Sequence, residues 1–156
     1  MILDAQNLFS EGQALTATAT STNVLDLLGA NTDNTTVDIG TGEDIYLIVQ
    51  TTKAFTQDGA ITLTAALQSG ANAADLTSSP TVHFTTGALA GAAFKAAGSV
   101  LAAVRVPPGT YKRYLGVQYT ASDTLVAGEV TAFLTKDIDA WRAYATRMSF
   151  NEGAAS

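Results

Sequence analysis

The sequence of 156 residues contains no cysteine. Disulfide bonds, a thiolate nucleophile and thiolate metal sites are therefore excluded. Histidine occurs once, as His83, and zinc sites usually draw most of their ligands from histidine and cysteine. A chain of this length can bury a continuous core without such cross-links, so we expect one domain stabilised by packing alone.

Charged residues are also scarce, at 14% of the chain with a net charge of -6. Nucleic-acid binders need a dense basic surface that releases phosphate counterions, so this balance argues strongly against a nucleic-acid partner. Residues 1–78 hold nine acids and one base, whereas residues 79–156 hold seven bases and five acids. This asymmetry would favour subunits that meet through opposite faces, unless folding mixes the two halves into one surface.

Long hydrophobic runs are absent, because every apolar stretch is far shorter than the roughly 18–20 residues that a membrane-spanning helix needs. The N-terminal Met-Ile-Leu-Asp lacks the basic segment and apolar run of a signal peptide. We therefore expect neither a membrane partner nor secretion, and predict assembly in the cytoplasm.

Alternation with a period of two residues dominates the chain and predicts β-strands. The apolar run inside 44–52 has no polar face, which indicates a central strand covered on both sides. About eight short strands separated by turn residues are typical of a sandwich, a jelly roll or a barrel. The predicted strands are Thr16–Thr22, Val24–Leu28, Asp44–Thr52, Ile61–Gln68, Val82–Phe84, Val100–Val106, Tyr114–Tyr119 and Leu125–Thr135.

Two turn signals predict hairpins between these strands. Asp58-Gly59 tolerates positive φ and predicts an antiparallel pair between the strands on either side of it. Pro107-Pro108-Gly109 predicts a tight turn that pairs the strand of 100–106 with that of 114–119. Gly128 indicates a bulge in the last strand. Residues 69–80 have the composition of a loop, and Gly87–Gly98 is an insertion of small residues with at most a short helix.

The sequence after Lys136 differs from the β pattern, which predicts a domain over residues 1–136 and a tail over 137–156. Apolar residues of the tail fall near helical spacing, with two arginines between them: Ile138, Trp141, Arg142, Tyr144, Arg147 and Met148, with Phe150 beyond. One interpretation is a segment folded back on its own domain. The other is an arm that docks into a neighbouring subunit, since aromatic residues and arginine dominate interface hot spots.

Residues for catalysis are few, so the sequence does not predict an enzyme. A Ser-His-Asp arrangement around His83 is formally possible, but no Gly-x-Ser-x-Gly motif accompanies it, and we interpret His83 as structural or solvated. Acidic and amide residues between Asn31 and Asp44 offer oxygen ligands of the kind calcium prefers, yet their spacing fits no EF-hand. We interpret them as an acidic surface loop and predict no cofactor and no small-molecule substrate.

Several segments resemble one known family. They are the opening Met-Ile-Leu-Asp-Ala-Gln-Asn-Leu-Phe-Ser, Gln13–Ala19, Asp38–Glu43, Ile61–Gln68, Pro108-Gly109 with Arg113-Tyr114-Leu115, and the ending from Tyr144 to Phe150. Together they resemble the small capsid cement, or decoration, proteins of tailed bacteriophages, of the Bordetella-phage type. The resemblance covers nearly the whole chain and its motifs are structural.

The resemblance implies an all-β, antiparallel β-sandwich of the jelly-roll type on the outer surface of the phage head. It implies a virion protein that self-associates, as a homodimer or homotrimer, and clamps neighbouring subunits of the major capsid protein. Chain ends are free to extend, and buried aromatic side chains dominate interface energies. The predicted partner-binding residues are therefore Ile2, Leu3, Leu8, Phe9, Trp141, Arg142, Tyr144, Arg147 and Phe150.

Two other classes of protein share a β fold with little charge. A phage tail-fibre or receptor-binding domain usually shows sequence repeats or a trimeric stem, and neither is visible here. A carbohydrate-binding module would use tryptophans on a sheet face, whereas the one tryptophan, Trp141, lies outside the predicted strands. Binding to glycans without binding to capsids would favour either class over a cement protein.

Overall fold

A computed structural model describes residues 5–28, 36–39, 42–57 and 59–139. The fold in these ranges is all-β, with two helices of four residues each and a short 3-10 turn at Ala5–Asn7. The strands are β1 Leu8–Leu15, β2 Ala19–Thr20, β3 Leu25–Asp26, β4 Thr36–Ile39, β5 Tyr46–Lys53, β6 Thr62–Gly70, β7 Thr81–Thr85, β8 Leu89–Ala90, β9 Val100–Arg105, β10 Gly109–Lys112, β11 Tyr114–Ala121 and β12 Gly128–Thr135. The helices are α1 Asp75–Ser78 and α2 Gly91–Phe94.

Two antiparallel sheets and a separate ribbon organise these strands. The first sheet has the order β1-β12-β5-β9. The second has the order β2-β11-β6-β7, with β3 paired to β11 and β8 paired to β6 at its margins. The ribbon consists of β4 and β10, which pair with each other from Thr36↔Lys112 to Ile39↔Gly109.

The core lies between the two sheets and contains residues from both. Leu47 and Val49 of β5 point into it from the first sheet, and Leu63 and Leu67 of β6 from the second. All four side chains are buried, and burying one side chain of this kind contributes about 1.5–3 kcal/mol. The alternation in β6 is therefore the pattern of a strand with one face in a sandwich core, as its sequence predicts.

One polar contact crosses this core. The hydroxyl groups of Ser10 and Tyr119 lie 2.9 Å apart, and both residues are buried. Burial raises the pKa of Tyr119 well above its usual range, which outweighs the opposing effect of the Ser10 hydrogen bond. The phenol therefore stays neutral and joins β1 to β11 across the sandwich without a buried charge.

A second apolar cluster lies on the other face of the first sheet. Leu8, Phe133, Ile48 and Ala103 occupy one register row across β1, β12, β5 and β9, and Ile138 packs against them. Ile48 and Phe133 are buried, as is Leu47 on the opposite face of the same sheet. The prediction that the strand around Ile48 is central and covered on both sides is confirmed.

Both predicted hairpins are wrong. The strands on either side of Asp58-Gly59 are β5 and β6, which belong to different sheets. Likewise β9 pairs with β5, whereas β11 pairs with β6, β2 and β3. Neither turn sequence joins two paired strands: β5 and β6 lie in different sheets, and Gly109 begins β10 of the separate ribbon.

The first predicted strand is misplaced in sequence. The structure places a long strand at Leu8–Leu15 and only two strand residues, Ala19–Thr20, within the threonine-rich segment 16–22. Leu15 is buried between the sheets, whereas the next three residues are exposed. Alternating threonine satisfies the strand pattern locally, but it supplies no large side chain for the core.

The segment 87–98 is mostly exposed but contributes one side chain to the core. It forms β8 and α2, and Phe94 at the end of α2 is fully buried. The Phe94 ring meets the Phe55 ring edge to face, with centroids 5.4 Å apart, a geometry that aromatic pairs prefer. The short helix expected here is present, and its last residue anchors it in the sandwich.

The uneven distribution of charge is balanced within the molecule. Four ion pairs occur among the described residues, and each joins an early residue to a late one: Asp26–Arg113, Glu43–Lys136, Asp44–Arg105 and Lys53–Glu129. Folding therefore mixes the acidic and basic halves into one surface. The charge asymmetry gives no support for subunits that meet through oppositely charged faces.

The backbone at Ala127, immediately before β12, is unfavourable for alanine. Its φ is +48°, a left-handed conformation that costs an L-residue roughly 1–2 kcal/mol. Glycine adopts this conformation freely but loses more entropy on folding. We expect Ala127→Gly to raise the free energy of unfolding by about 0.5–1 kcal/mol, measured by urea denaturation. Ala54→Gly, at an exposed position without positive φ, should instead lower it.

Candidate functional site

A groove of about 720 Å³ opens at the end of the sandwich where β3, β4, the start of β5 and the end of β12 come together. Its lining mixes apolar side chains with polar and charged ones. Its walls combine segments that are far apart in the chain: Gln6, Asn7, Val24–Leu27, Asp38, Ile39, Gly42, Glu43, Ile45, Leu134 and Lys136. A much smaller hollow, lined by Asn7, Ile45, Leu134, Thr135 and Lys136, shares four of these residues.

The walls of the groove are organised by charge-assisted hydrogen bonds. Arg113 donates from Nε and Nη2 to the two carboxylate oxygens of Asp26, at 2.9 and 2.8 Å. This fork geometry fixes both side chains, and the hydrogen bond to Asp26 raises the pKa of Arg113. On the other wall, Lys136 Nζ donates to Glu43 Oε2 at 2.6 Å. These pairs hold β3 to β11, and the start of β5 to the end of β12.

The third carboxylate of the groove walls, Asp38, lies on β4. Thr110 donates a hydrogen bond from Oγ1 to Asp38 Oδ1 at 3.4 Å. Asp38 and its neighbour Ile39 belong to the ribbon, so the position of the ribbon sets one wall of the groove. The ion pairs of the other walls, Asp26–Arg113 and Glu43–Lys136, include no residue of this ribbon.

The groove lies at the roots of both terminal segments. Gln6 and Asn7, which follow the first residues of the chain, line one side, and Lys136, which precedes the tail, lines another. Of the predicted partner-binding residues, Ile2, Leu3, Trp141, Arg142, Tyr144, Arg147 and Phe150 lie outside the described residues. The described residues thus bring the starting points of both predicted contact segments to one end of the domain.

Leu8 and Phe9, which were also predicted to bind a partner, have a different position. Phe9 is fully buried between the sheets, and Leu8 is 7% exposed in the outer apolar cluster. Both begin strand β1, which pairs with β12. Their side chains stabilise the fold and offer a partner almost no surface, so they do not belong to the candidate contact residues of the folded domain.

His83 lies away from the groove, on β7. Its Nε2 is 2.7 Å from Ser69 Oγ, and its ring stacks on Tyr111 with the centroids 3.7 Å apart. Burial, with a smaller effect from Lys112, lowers the pKa of His83. A serine beside a neutral histidine resembles a nucleophile and its base, but Ser69 has no exposed surface. Its hydroxyl therefore cannot reach a substrate in this conformation.

Of the acidic residues predicted to form a surface loop, two form ion pairs and Asp38 lies on strand β4 of the ribbon. Asp44 pairs with Arg105 at 2.6 Å, and Glu43 pairs with Lys136. No group of three acidic or histidine side chains close enough to hold a metal ion occurs among the residues that the structure describes. Asn31, Asp33 and Asn34 lie outside them.

Two residues of the site were missed by the sequence analysis. Asp26 lies inside the predicted strand Val24–Leu28 without a role of its own, and Arg113 was named only as part of a motif. The isolated carboxylate between Leu25 and Leu27 was the available signal, because a charge at such a position requires either solvent or a partner. Its partner is 87 residues away in the sequence, so no local pattern could identify it.

Together, these features define an all-β, two-sheet domain with a groove at one end. The chain belongs to the Bbp16 family, whose model matches residues 9–134, the whole sandwich from β1 to β12. The family name indicates a protein of a Bordetella phage. No curated protein matches the chain. Neither helix in the described ranges has the length and apolar character needed to cross a membrane.

Proposed function

We propose that this chain is a capsid cement protein, which binds the outside of the phage head and clamps neighbouring subunits of the major capsid protein. The observation that carries the proposal is the match of the Bbp16 family model to residues 9–134. The resemblance to capsid cement proteins in the termini and strands supports the same function. A sandwich with few charges, four pairs of which lie within the molecule, is consistent with binding through shape and contact area.

We further infer that the sandwich is a jelly roll. The two sheet orders, β1-β12-β5-β9 and β2-β11-β6-β7, support this, since the chain alternates between sheets and its first and last long strands are neighbours. A jelly roll of this kind leaves loops and chain ends grouped at the ends of the sandwich. The groove and the roots of both terminal segments lie at one such end.

The proposed mechanism is a coupling of free energies without catalysis. A protein that binds the assembled shell but not dissociated subunits stabilises the shell by about 2.7 kcal/mol per site when its concentration is 100 times Kd. A specific interface typically buries about 1,600 Å². A homodimer or homotrimer that contacts several capsid subunits at once gains further affinity through avidity. No small molecule, cofactor or nucleic acid takes part in this mechanism.

We propose that the end of the sandwich with the groove faces the head. Gln6 and Lys136 place the roots of the N-terminal segment and the tail there, and the predicted contact residues are found in those two segments. Leu8 and Phe9 are excluded from this surface because they are buried. The residues proposed to contact the capsid are therefore Ile2, Leu3, Trp141, Arg142, Tyr144, Arg147 and Phe150.

The function is tested with the full-length protein and heads of the phage that encodes it. We expect the protein to co-sediment with expanded heads and to raise the temperature at which they break. Heads without added protein are the control. Absence of binding together with an unchanged disruption temperature would refute the proposal. Binding to host cells or surface glycans, with no binding to heads, would instead favour a tail-fibre or receptor-binding domain.

Removing residues 140–156 tests the contribution of the tail. This truncation retains Ile138, which packs on Leu8 and Phe133, so we expect the β domain to stay folded. Loss of aromatic hot spots should weaken binding to heads by at least about tenfold, measured by co-sedimentation with increasing protein concentration.

The matched control for the truncation is Val82→Ala. Val82 is 54% exposed on β7, at the opposite edge of the second sheet from β3, and its truncation should leave binding unchanged. The point variant Trp141→Ala in the full-length chain separates loss of one contact from loss of the whole segment. If the truncated protein binds heads with unchanged affinity, the tail is not a contact element.

A further inference from the structure

The β4–β10 ribbon belongs to neither sheet, so contacts other than the hydrogen bonds of those sheets hold it to the rest of the domain. Tyr111 of β10 is buried, and its hydroxyl donates a hydrogen bond to the carbonyl of Pro107 at 2.6 Å. The Lys112 backbone N–H donates to Ser69 Oγ of β6 at 3.1 Å. The His83 ring of β7 stacks on Tyr111, with 20° between the ring planes. The Lys112–Ser69 hydrogen bond and the stack of His83 on Tyr111 thus join the ribbon to the second sheet.

The Lys112 backbone N–H, the Ser69 hydroxyl and the His83 ring form a directed chain of hydrogen bonds when His83 is neutral. Ser69 Oγ accepts the Lys112 N–H, and His83 Nε2 lies 2.7 Å from the same oxygen. With the imidazole proton on Nδ1, Nε2 accepts the hydrogen of the Ser69 hydroxyl. Ser69 is fully buried, so each of these bonds replaces a lost interaction with water.

Protonation of His83 reverses one of these bonds. Nε2 becomes a donor, so Ser69 must accept two hydrogen bonds and turn its own hydrogen to another acceptor. The imidazolium would also be partly buried and close to Lys112, whose positive charge disfavours it. Burial and, to a smaller extent, Lys112 lower the pKa of His83.

The titratable groups around His83 are few. On β10 they are Tyr111 and Lys112, whereas β6 and β7 contain no other ionisable residue. Burial raises the pKa of Tyr111 to about 12, so its phenol stays neutral in mild acid. His83 is therefore the one group of this cluster that changes charge at mildly acidic pH.

We propose that Ser69, His83 and Tyr111 form an acid-sensitive latch that fastens the β4–β10 ribbon to the second sheet and loosens when His83 is protonated. Because Asp38 and Ile39 of the same ribbon line the groove, loosening the latch alters one wall of the groove. Only this consequence for the groove rests on the proposed function. The latch itself is inferred from the contacts that the ribbon makes with Ser69 and His83.

The direction of the pH dependence follows from the lowered pKa of His83 in the folded protein. Above the ordinary histidine pKa of about 6.5, both folded and unfolded states are neutral and the latch contributes fully. As pH falls through that value the unfolded state binds a proton first, so stability declines. The decline ends below the folded-state pKa, where both states are protonated.

The test measures amide hydrogen exchange by NMR at about pH 7.5 and about pH 5.5, with protection factors corrected for the intrinsic rate. We expect protection of the β4 and β10 amides to fall severalfold at the lower pH, while the β6 and β11 amides that pair with each other retain theirs. His83→Phe keeps a ring on Tyr111 but cannot titrate, so the ribbon should keep its protection at both pH values. Equal loss in this variant, or no loss in the natural protein, would overturn the proposal.

A second measurement covers the case in which His83→Phe does not fold. The chain has one histidine, so the imidazole C–H resonance of the natural protein reports on His83 alone. We expect it to titrate below the ordinary histidine pKa. Titration at or above that value would overturn the latch, because protonation would then not weaken the folded state.

Discussion

Phe94→Ala is expected to lower the free energy of unfolding by about 3–5 kcal/mol, the largest effect of any variant considered. Phe94 is fully buried at the end of α2, and its ring is one half of the edge-to-face pair with Phe55. Truncation removes both the buried apolar surface and the aromatic contact. The expected loss is measured by urea denaturation of the full-length protein at neutral pH.

A matched control for this prediction is Val126→Ala. Val126 is 48% exposed, so removing its two methyl groups should change the free energy of unfolding by less than about 0.5 kcal/mol. A loss at Phe94 as small as at Val126 would mean that the Phe94 side chain lies on the surface. The assignment of Phe94 to the core would then be wrong.

Gly128→Ala is expected to destabilise the protein by about 1–3 kcal/mol through overpacking. Gly128 begins β12 directly against the Phe55 ring, and a Cβ at this position would overlap the ring atoms Cδ1, Cε1 and Cγ. Phe55 is itself packed edge to face on Phe94 and is only 5% exposed, so its ring has little room to move away. The change is measured by the same denaturation experiment.

The steric origin of this effect is tested with a second variant. Phe55→Leu should cost less in the Gly128→Ala background than in the natural protein, because the smaller side chain relieves the overlap. Gly42→Ala is the matched glycine control, since a Cβ there meets no atom within 4 Å, and it should cause no loss of stability. Additive effects of the two core substitutions would contradict the proposed overlap.

The predictions that are confirmed concern segments whose hydrophobic pattern indicates which side chains are buried. The apolar run at Leu47–Val49 indicated a central strand, and β5 lies between β12 and β9 with both faces covered. The alternation in Ile61–Gln68 indicated a strand with one buried face, and β6 has that burial pattern. Both inferences depend only on the side-chain period of a strand and on the preference of apolar side chains for the interior.

The predictions that failed concern which strands become neighbours. Asp58-Gly59 and Pro107-Pro108-Gly109 are sound turn signals, but a turn signal specifies only that the chain reverses. Whether the next strand pairs with the previous one or crosses to the facing sheet depends on contacts with other strands. For β5 those contacts are with β9 and β12, and local sequence contains no information on residues so distant.

The candidate site was predictable only in part for the same reason. The terminal segments were recognised from their aromatic and basic residues, but the groove needs Asp26 beside Arg113 and Glu43 beside Lys136. These pairs form because β3 lies on β11 and the start of β5 lies on the end of β12. His83 was interpreted as structural or solvated, and its stack on Tyr111 agrees with a structural role.

Composition and periodicity were therefore sufficient to determine an all-β domain without disulfides, a central strand at β5, and a charge balance unsuited to nucleic acid. These are local or summed properties of the chain. They are sufficient because burial of apolar surface is the dominant driving force of folding. The sheet orders, the pairing of early acids with late bases, the groove and the His83 cluster were decided by tertiary structure alone. Each depends on contacts between residues that come together only when the two sheets pack, and no sequence window spans them.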